Sequence, residues 1–131
     1  MTAGIRRVAV IGGVRIPFCR SNTLYADLTN LDMQTAVLDG LADKYDLEGV
    51  HIDEAVGGAV VTHSKDWNIA REAVIRSKLA PSTPGITMIQ ACGTSLQAAM
   101  VRQLLLRNVN KQLLRVGVNE ESCNCRRNVR G

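Results

Sequence analysis

Cys92 stands between two runs of opposite character. Before it lies an apolar, strand-like stretch, Ile86-Thr87-Met88-Ile89, bounded by Pro84-Gly85. After it come Gly93, the small hydroxyl residues Thr94 and Ser95, and then the helix formers Leu96, Gln97, Ala98 and Ala99. This order places a thiol at the mouth of a helix. Unpaired backbone N–H groups and aligned peptide dipoles favour negative charge there, and the thiolate is the nucleophilic form of cysteine. Gly93 would let a substrate carbonyl approach the backbone closely. The opposing reading is a buried structural cysteine, a common fate of free Cys.

Other residues carry weaker signals. His51 and His63 lie in no recognisable ligand or base motif, so loop histidines are the plainer reading, although His63 follows an expected strand and can approach a site. Cys123-x-Cys125 offers only two ligands and no nearby histidine, too few for a closed tetrahedral metal site. No metal is expected. Cys19, beside Pro17-Phe18, reads as structural. Gly12-Gly13 follows an expected strand but lacks the rest of a dinucleotide fingerprint. Arg15 and Arg71 read as holders of charge pairs or backbone carbonyls rather than of substrate.

The elements that would position Cys92 follow from periodicity. Arg6 to Gly13 alternates weakly and is β-branched, which suits a buried strand, and Pro17 turns the chain out of it. Residues 19–31 read as loop, with Asn30 or Asp32 as the cap of the next helix. Met33, Ala36, Val37, Gly40 and Leu41 recur at helical spacing, and the Asp43–Asp46 stretch ends that helix. Ile52 to Val61 reads as a second strand and Trp67 to Leu79 as a second helix, stopped by Pro81 and Pro84. Gly85 to Gln90 makes a third strand, and a third helix begins after Cys92. Strands alternating with helices imply an α/β fold, a βαβα unit with a mostly parallel sheet flanked by helices.

Composition narrows the class. A chain of 131 residues allows one compact domain, and 3% aromatic residues leave aliphatic side chains and alanine to fill its core. No run approaches the length of a membrane span, the amino terminus lacks the pattern of a signal peptide, and four cysteines without framework spacing fit a reduced, cytoplasmic setting. Charge is divided unevenly. Residues 1–100 carry nine Lys/Arg against ten Asp/Glu, whereas residues 101–131 carry seven against two. A basic tail can bind an acidic partner, but this one has no aromatic residue to stack on a base, so neither nucleic acid nor membrane is expected as a partner.

Three segments together resemble the thiolase family. Cys92-Gly93-Thr94-Ser95-Leu96-Gln97-Ala98 is similar to its nucleophile motif Cys-Gly-Ser-Gly-Leu-Gln-Ala, with Thr for Ser and Ser for Gly. Val8 to Phe18 resembles its opening strand and Arg-Thr-Pro-Phe turn, with Ile16 in place of Thr. Asn68-Ile69-Ala70-Arg71 resembles its Asn-x-Ala-Arg helix. The resemblance covers about residues 5–100 and implies a partial amino-terminal thiolase-like domain there, with 101–131 a divergent basic tail, helical at its start and disordered beyond Asn119.

That resemblance implies acyl exchange with coenzyme A, with Cys92 as the acylated nucleophile. It implies acyl-CoA as substrate, no permanently bound cofactor, and a homo-oligomer for the complete enzyme. It also implies an activating histidine, a second cysteine and oxyanion donors from a later part of a chain roughly three times longer, and this sequence has no counterpart of them after Cys92. The expectation is therefore a truncated, inactive fragment with an unpaired sheet edge. A frameshift near residue 101 is one origin, since codon degeneracy permits a thiolase-like strand and glycine turn in another frame across Asn110 to Asn119. A non-enzymatic product and a small basic binding module remain the alternatives.

Overall fold

In the computed structural model, residues 9–20, 22–60, 63–108 and 115–117 are described. Helix α1 (Asn30–Tyr45) starts at a capping box built by Thr29 and Asp32. The Asp32 amide donates to Thr29 Oγ1 at 3.1 Å, and the Thr29 amide returns the bond to Asp32 Oδ2 at 2.9 Å. The cap is thus Thr29 rather than Asn30 or Asp32. Asp32 serves from the third helical position, as Thr-x-x-Asp spacing allows. The helix ends at Asp46, which adopts a left-handed conformation with φ 52° and bonds back to the Ala42 carbonyl.

Strand β1 (Glu54–Gly57) lies at the centre of a three-stranded parallel sheet of order β2-β1-β3. Strand β2 (Gly85–Thr87) pairs Ala55 with Gly85 and Gly57 with Thr87. Strand β3 (Arg115–Gly117) pairs Glu54 with Arg115 and Val56 with Gly117. The strands are shorter than the sequence pattern suggests. Val61 and the expected strand residues Arg6 to Val8 lie outside the described residues. Residues 9–13 form no strand, and Val10 and Ile11 are exposed. A strand exists only against a ladder, and residues 9–13 pair with none of β1, β2 and β3. Among the described residues the outer sides of β2 and β3 remain the edges of the sheet.

Helix α2 (Ile69–Arg76) packs on α1, β1 and β2. Helix α3 (Thr94–Asn108) contacts β1 and β3 and carries the chain between β2 and β3. The core joins Leu31, Leu38 and Ala42 of α1, Ile52 and Ala55 around β1, and Ile69, Ala73 and Val74 of α2. It is aliphatic, as the scarcity of aromatic residues requires, and Trp67 and Phe18 lie exposed.

The Asn68–Arg71 segment fixes α2 against β2. Asn68 caps the helix by accepting from the Arg71 amide at 3.2 Å, and it also accepts from the Thr87 hydroxyl at 2.7 Å. Thr87 Oγ1 in turn accepts from the Ala70 amide at 3.1 Å. Helix and strand approach so closely that a Cβ on Gly85 would lie 2.6 Å from the Arg71 nitrogen. Arg71 Nη1 donates to the carbonyls of Pro81 and Thr83 at 2.6 and 2.9 Å. Buried Thr83 closes the layer by accepting from the Ile52 amide at 3.0 Å. The segment that leads into β2, and from there to Cys92, is therefore held from the helix behind it.

Candidate active site

Beyond Thr87 the chain leaves the sheet. The Met88 amide still donates to Gly57 O at 3.0 Å, and then a tight turn carries Gln90 to Gly93 into α3. Within it the Gly93 amide bonds to the Gln90 carbonyl at 2.9 Å and the Thr94 amide to the Ala91 carbonyl at 3.3 Å. Ala91 sits at φ 43°, a left-handed conformation that costs a non-glycine residue about 1–2 kcal/mol. The strain is local, and it turns the next residue outward. Cys92 is exposed and unoxidised, two positions ahead of the first residue of α3.

The first intrahelical bond of α3 runs from the Gln97 amide to Gly93 O at 2.9 Å. The amides of Ser95 and Leu96 therefore belong to the first turn, which has no intrahelical acceptors of its own. The expected strand–cysteine–glycine–helix order is present in space, and the buried structural cysteine is not.

Other candidates fall away from this turn. His51 bonds to Ser82 at 2.8 Å. Both residues precede their parallel strands, so they lie at the end of the sheet opposite to Cys92. His63 accepts from the Lys65 amide at 3.3 Å within its own turn. Neither histidine is hydrogen-bonded to the Cys92 sulfur. Arg71 holds backbone carbonyls, as expected from the sequence, and the Arg15 guanidinium lies 3.6 Å over the Phe18 ring.

Cys19 Sγ shares a 2.7 Å hydrogen bond with Thr23 Oγ1, which lowers the thiol below its ordinary range. Cys123 and Cys125 lie outside the described residues, and among the described residues no group of His, Cys, Asp and Glu is arranged to hold a metal.

Three residues support the turn in ways that the sequence reading does not assign, although the glycines at the end of the expected second strand read as a close backbone approach. Thr94 is buried, and its hydroxyl accepts from the Gln90 amide at 2.9 Å and donates to the Ala91 carbonyl at 2.8 Å. Gly58 follows β1 and packs beneath it, where a Cβ would collide with the Met88 carbonyl and Thr94 Cγ2. Buried Gln34 of α1 donates from Nε2 to Gly58 O at 2.8 Å. A hydroxyl two residues after a turn cysteine is a signal available in the sequence. The Gln34–Gly58 bond spans 24 residues, and no local pattern announces it.

The comparisons with known proteins agree with this geometry. A family model described as the thiolase N-terminal domain matches residues 8–122. The chain belongs to the thiolase family. It is 38% identical over 92 residues to a 3-ketoacyl-CoA thiolase of Photorhabdus laumondii, covering 70% of this chain and 21% of that protein. It is 37% identical over 94 residues to the mitochondrial trifunctional enzyme subunit beta of Bos taurus, covering 72% and 20%. In structure it is similar to the Bacillus anthracis acetyl-CoA acetyltransferase, with a TM-score of 0.57 and 20% identity over 64% of this chain and 21% of that one. This last likeness shows the α/β fold. The chain spans about a fifth of the length of the curated relatives it matches. No helix among the described residues is long and apolar enough to cross a membrane.

Proposed function

We propose that Cys92 is the acyl acceptor of a thiolase-type acyltransferase acting in fatty-acid or acetoacetyl-CoA metabolism. The thiolate sulfur attacks the carbonyl carbon of an acyl-CoA and a new thioester forms. The bond to the coenzyme sulfur breaks, and coenzyme A leaves as a thiolate that takes up a proton. The observation that carries this reading is the exposed Cys92 on a strained turn at the start of α3, within a chain that belongs to the thiolase family. The open backbone beside it supports the reading. Among the described residues beyond its chain neighbours, a side chain at Gly93 would meet the Gln90 carbonyl at 3.4 Å, and this openness supports a close approach of the substrate carbonyl.

Acyl-CoA is on this reading a substrate, and no cofactor is bound permanently. The complete enzyme works as a homo-oligomer in the cytoplasm, without nucleic acid or membrane as a partner. The base that serves Cys92 and the oxyanion donors come from outside this chain. A positioned base contributes about 10²–10⁴-fold and one oxyanion donor about 10²–10³-fold. On this reading the 131 residues alone accept an acyl group without sustained turnover.

Incubation with acetyl-CoA followed by peptide mass spectrometry tests the assignment. The acetyl group is expected on Cys92 ahead of Cys19, Cys123 and Cys125. Equal labelling of all four favours the non-enzymatic product, and sustained turnover by the chain alone refutes the second half of the reading.

A further inference from the structure

We infer that Thr94 is the positioning residue for the Cys92 thiol, acting through a clamp on the two residues that precede it. The inference rests on Cys92 being the acyl acceptor. One buried hydroxyl takes the Gln90 N–H at 2.9 Å and gives its own proton to the Ala91 carbonyl at 2.8 Å. It thereby fixes both ends of the segment that forces Ala91 to φ 43°. Without that clamp, Ala91 relaxes toward the ordinary right-handed or extended regions. Cys92 follows directly, so its sulfur swings with that rotation.

The clamp is itself braced. Thr94 Cγ2 rests against Gly58, where no side chain fits, and the Gly58 carbonyl is held by Gln34 Nε2 at 2.8 Å. The buried Gln34 side chain has no partner for its Oε1 among the described residues, so its amide is spent on this one bond. A continuous line of contacts thus runs from α1 through Gly58 and Thr94 to the turn that carries Cys92. The hydroxyl and the methyl of Thr94 have separate tasks, since the first sets the turn and the second seats it on Gly58, just beyond β1.

Thr94→Val keeps the shape and removes the hydroxyl, whereas Thr94→Ser keeps the hydroxyl and removes the methyl. Acetyl transfer from acetyl-CoA to Cys92 and its alkylation by iodoacetamide are followed by peptide mass spectrometry, with Cys19 as internal reference. Thr94→Val is expected to slow both reactions at Cys92 about tenfold or more, the scale of a misplaced reacting group. Cys19 alkylation stays unchanged, and Thr94→Ser restores Cys92 to near the wild-type rate. Wild-type rates in Thr94→Val, or equal slowing in both variants, overturn the inference.

Amide exchange in the wild-type chain tests the clamp even where Thr94→Val does not fold. The Gln90 N–H must be protected, and free exchange there refutes the clamp. Failure of Cys92 to take an acetyl group, with Gln90 protected and alkylation still dependent on the hydroxyl, counts against the acyl-acceptor reading and leaves the clamp standing.

Discussion

Replacement of Arg71 by methionine tests whether the Asn68–Arg71 segment is a brace for the strand that leads to Cys92. The guanidinium makes two bonds to carbonyl oxygens, at 2.6 Å to Pro81 and 2.9 Å to Thr83. A hydrogen bond from a charged donor contributes about 1.5–3 kcal/mol. Pro81 is exposed, so water replaces most of the first bond. Thr83 is fully buried, and its carbonyl loses its donor with less compensation. Arg71→Met is therefore expected to cost about 2 kcal/mol, mostly the penalty of that one buried carbonyl. This is about a thirtyfold change in the folding equilibrium.

In urea the midpoint falls by about 1 M for a slope near 2 kcal/mol/M. Arg76→Met is the matched control. Its ion pair with Asp32 is 3.7 Å long, with both side chains substantially exposed, and removing it is expected to cost under about 0.5 kcal/mol. Equal midpoints for wild type and Arg71→Met, or equal losses for the two variants, refute the brace.

Further outcomes follow from the same structure. Thr29→Ala removes the α1 cap and is expected to lower stability by about 1 kcal/mol, read from urea denaturation. The Thr29 hydroxyl, the Thr29 amide and Arg76 hold the Asp32 carboxyl below its ordinary range. The cap's contribution is therefore full above the unfolded carboxyl value and fades as pH falls through the lower folded value, so the wild type and Thr29→Ala converge in acid. Thr23→Ala removes the hydrogen bond that lowers Cys19, and alkylation of Cys19 at neutral pH is expected to slow as its thiolate fraction drops. Val10, Ile11, Phe18, Leu24 and Leu96 are exposed, so the isolated chain is expected to melt at low temperature or to aggregate. A cooperative, high-temperature melt of a soluble monomer contradicts that expectation.

The parts of this molecule written in local chemistry were legible in the sequence. Cys92 stood out because it lies between an apolar run and a glycine-led helix, in a segment that resembles the thiolase nucleophile motif. The Asn68–Arg71 segment was recognisable as a motif, yet its physical task, tying α2 to β2 through Thr87, Pro81 and Thr83, needed the fold. The α1 cap was misplaced by one residue or three because Asp32 reads equally well as a cap and as its reciprocal partner. Strand β2 was drawn too long, since Met88 and Ile89 are apolar but already belong to the approach to the turn.

Strand β3 left no readable trace. Arg115-Val116-Gly117 offers one apolar side chain, and its place beside β1 depends on α3 bringing it there. The clamp at Thr94 and its support by Gly58 and Gln34 were hidden for the same reason, because they join segments that are neighbours only after folding.

The most direct test is the coenzyme A released in a single encounter between this chain and acetyl-CoA, quantified chromatographically so that protein thiols do not interfere. The account predicts release that tracks acetylated Cys92 one for one, and none from Cys92→Ser. Release that persists in Cys92→Ser, or that is missing from a folded wild-type chain, contradicts it.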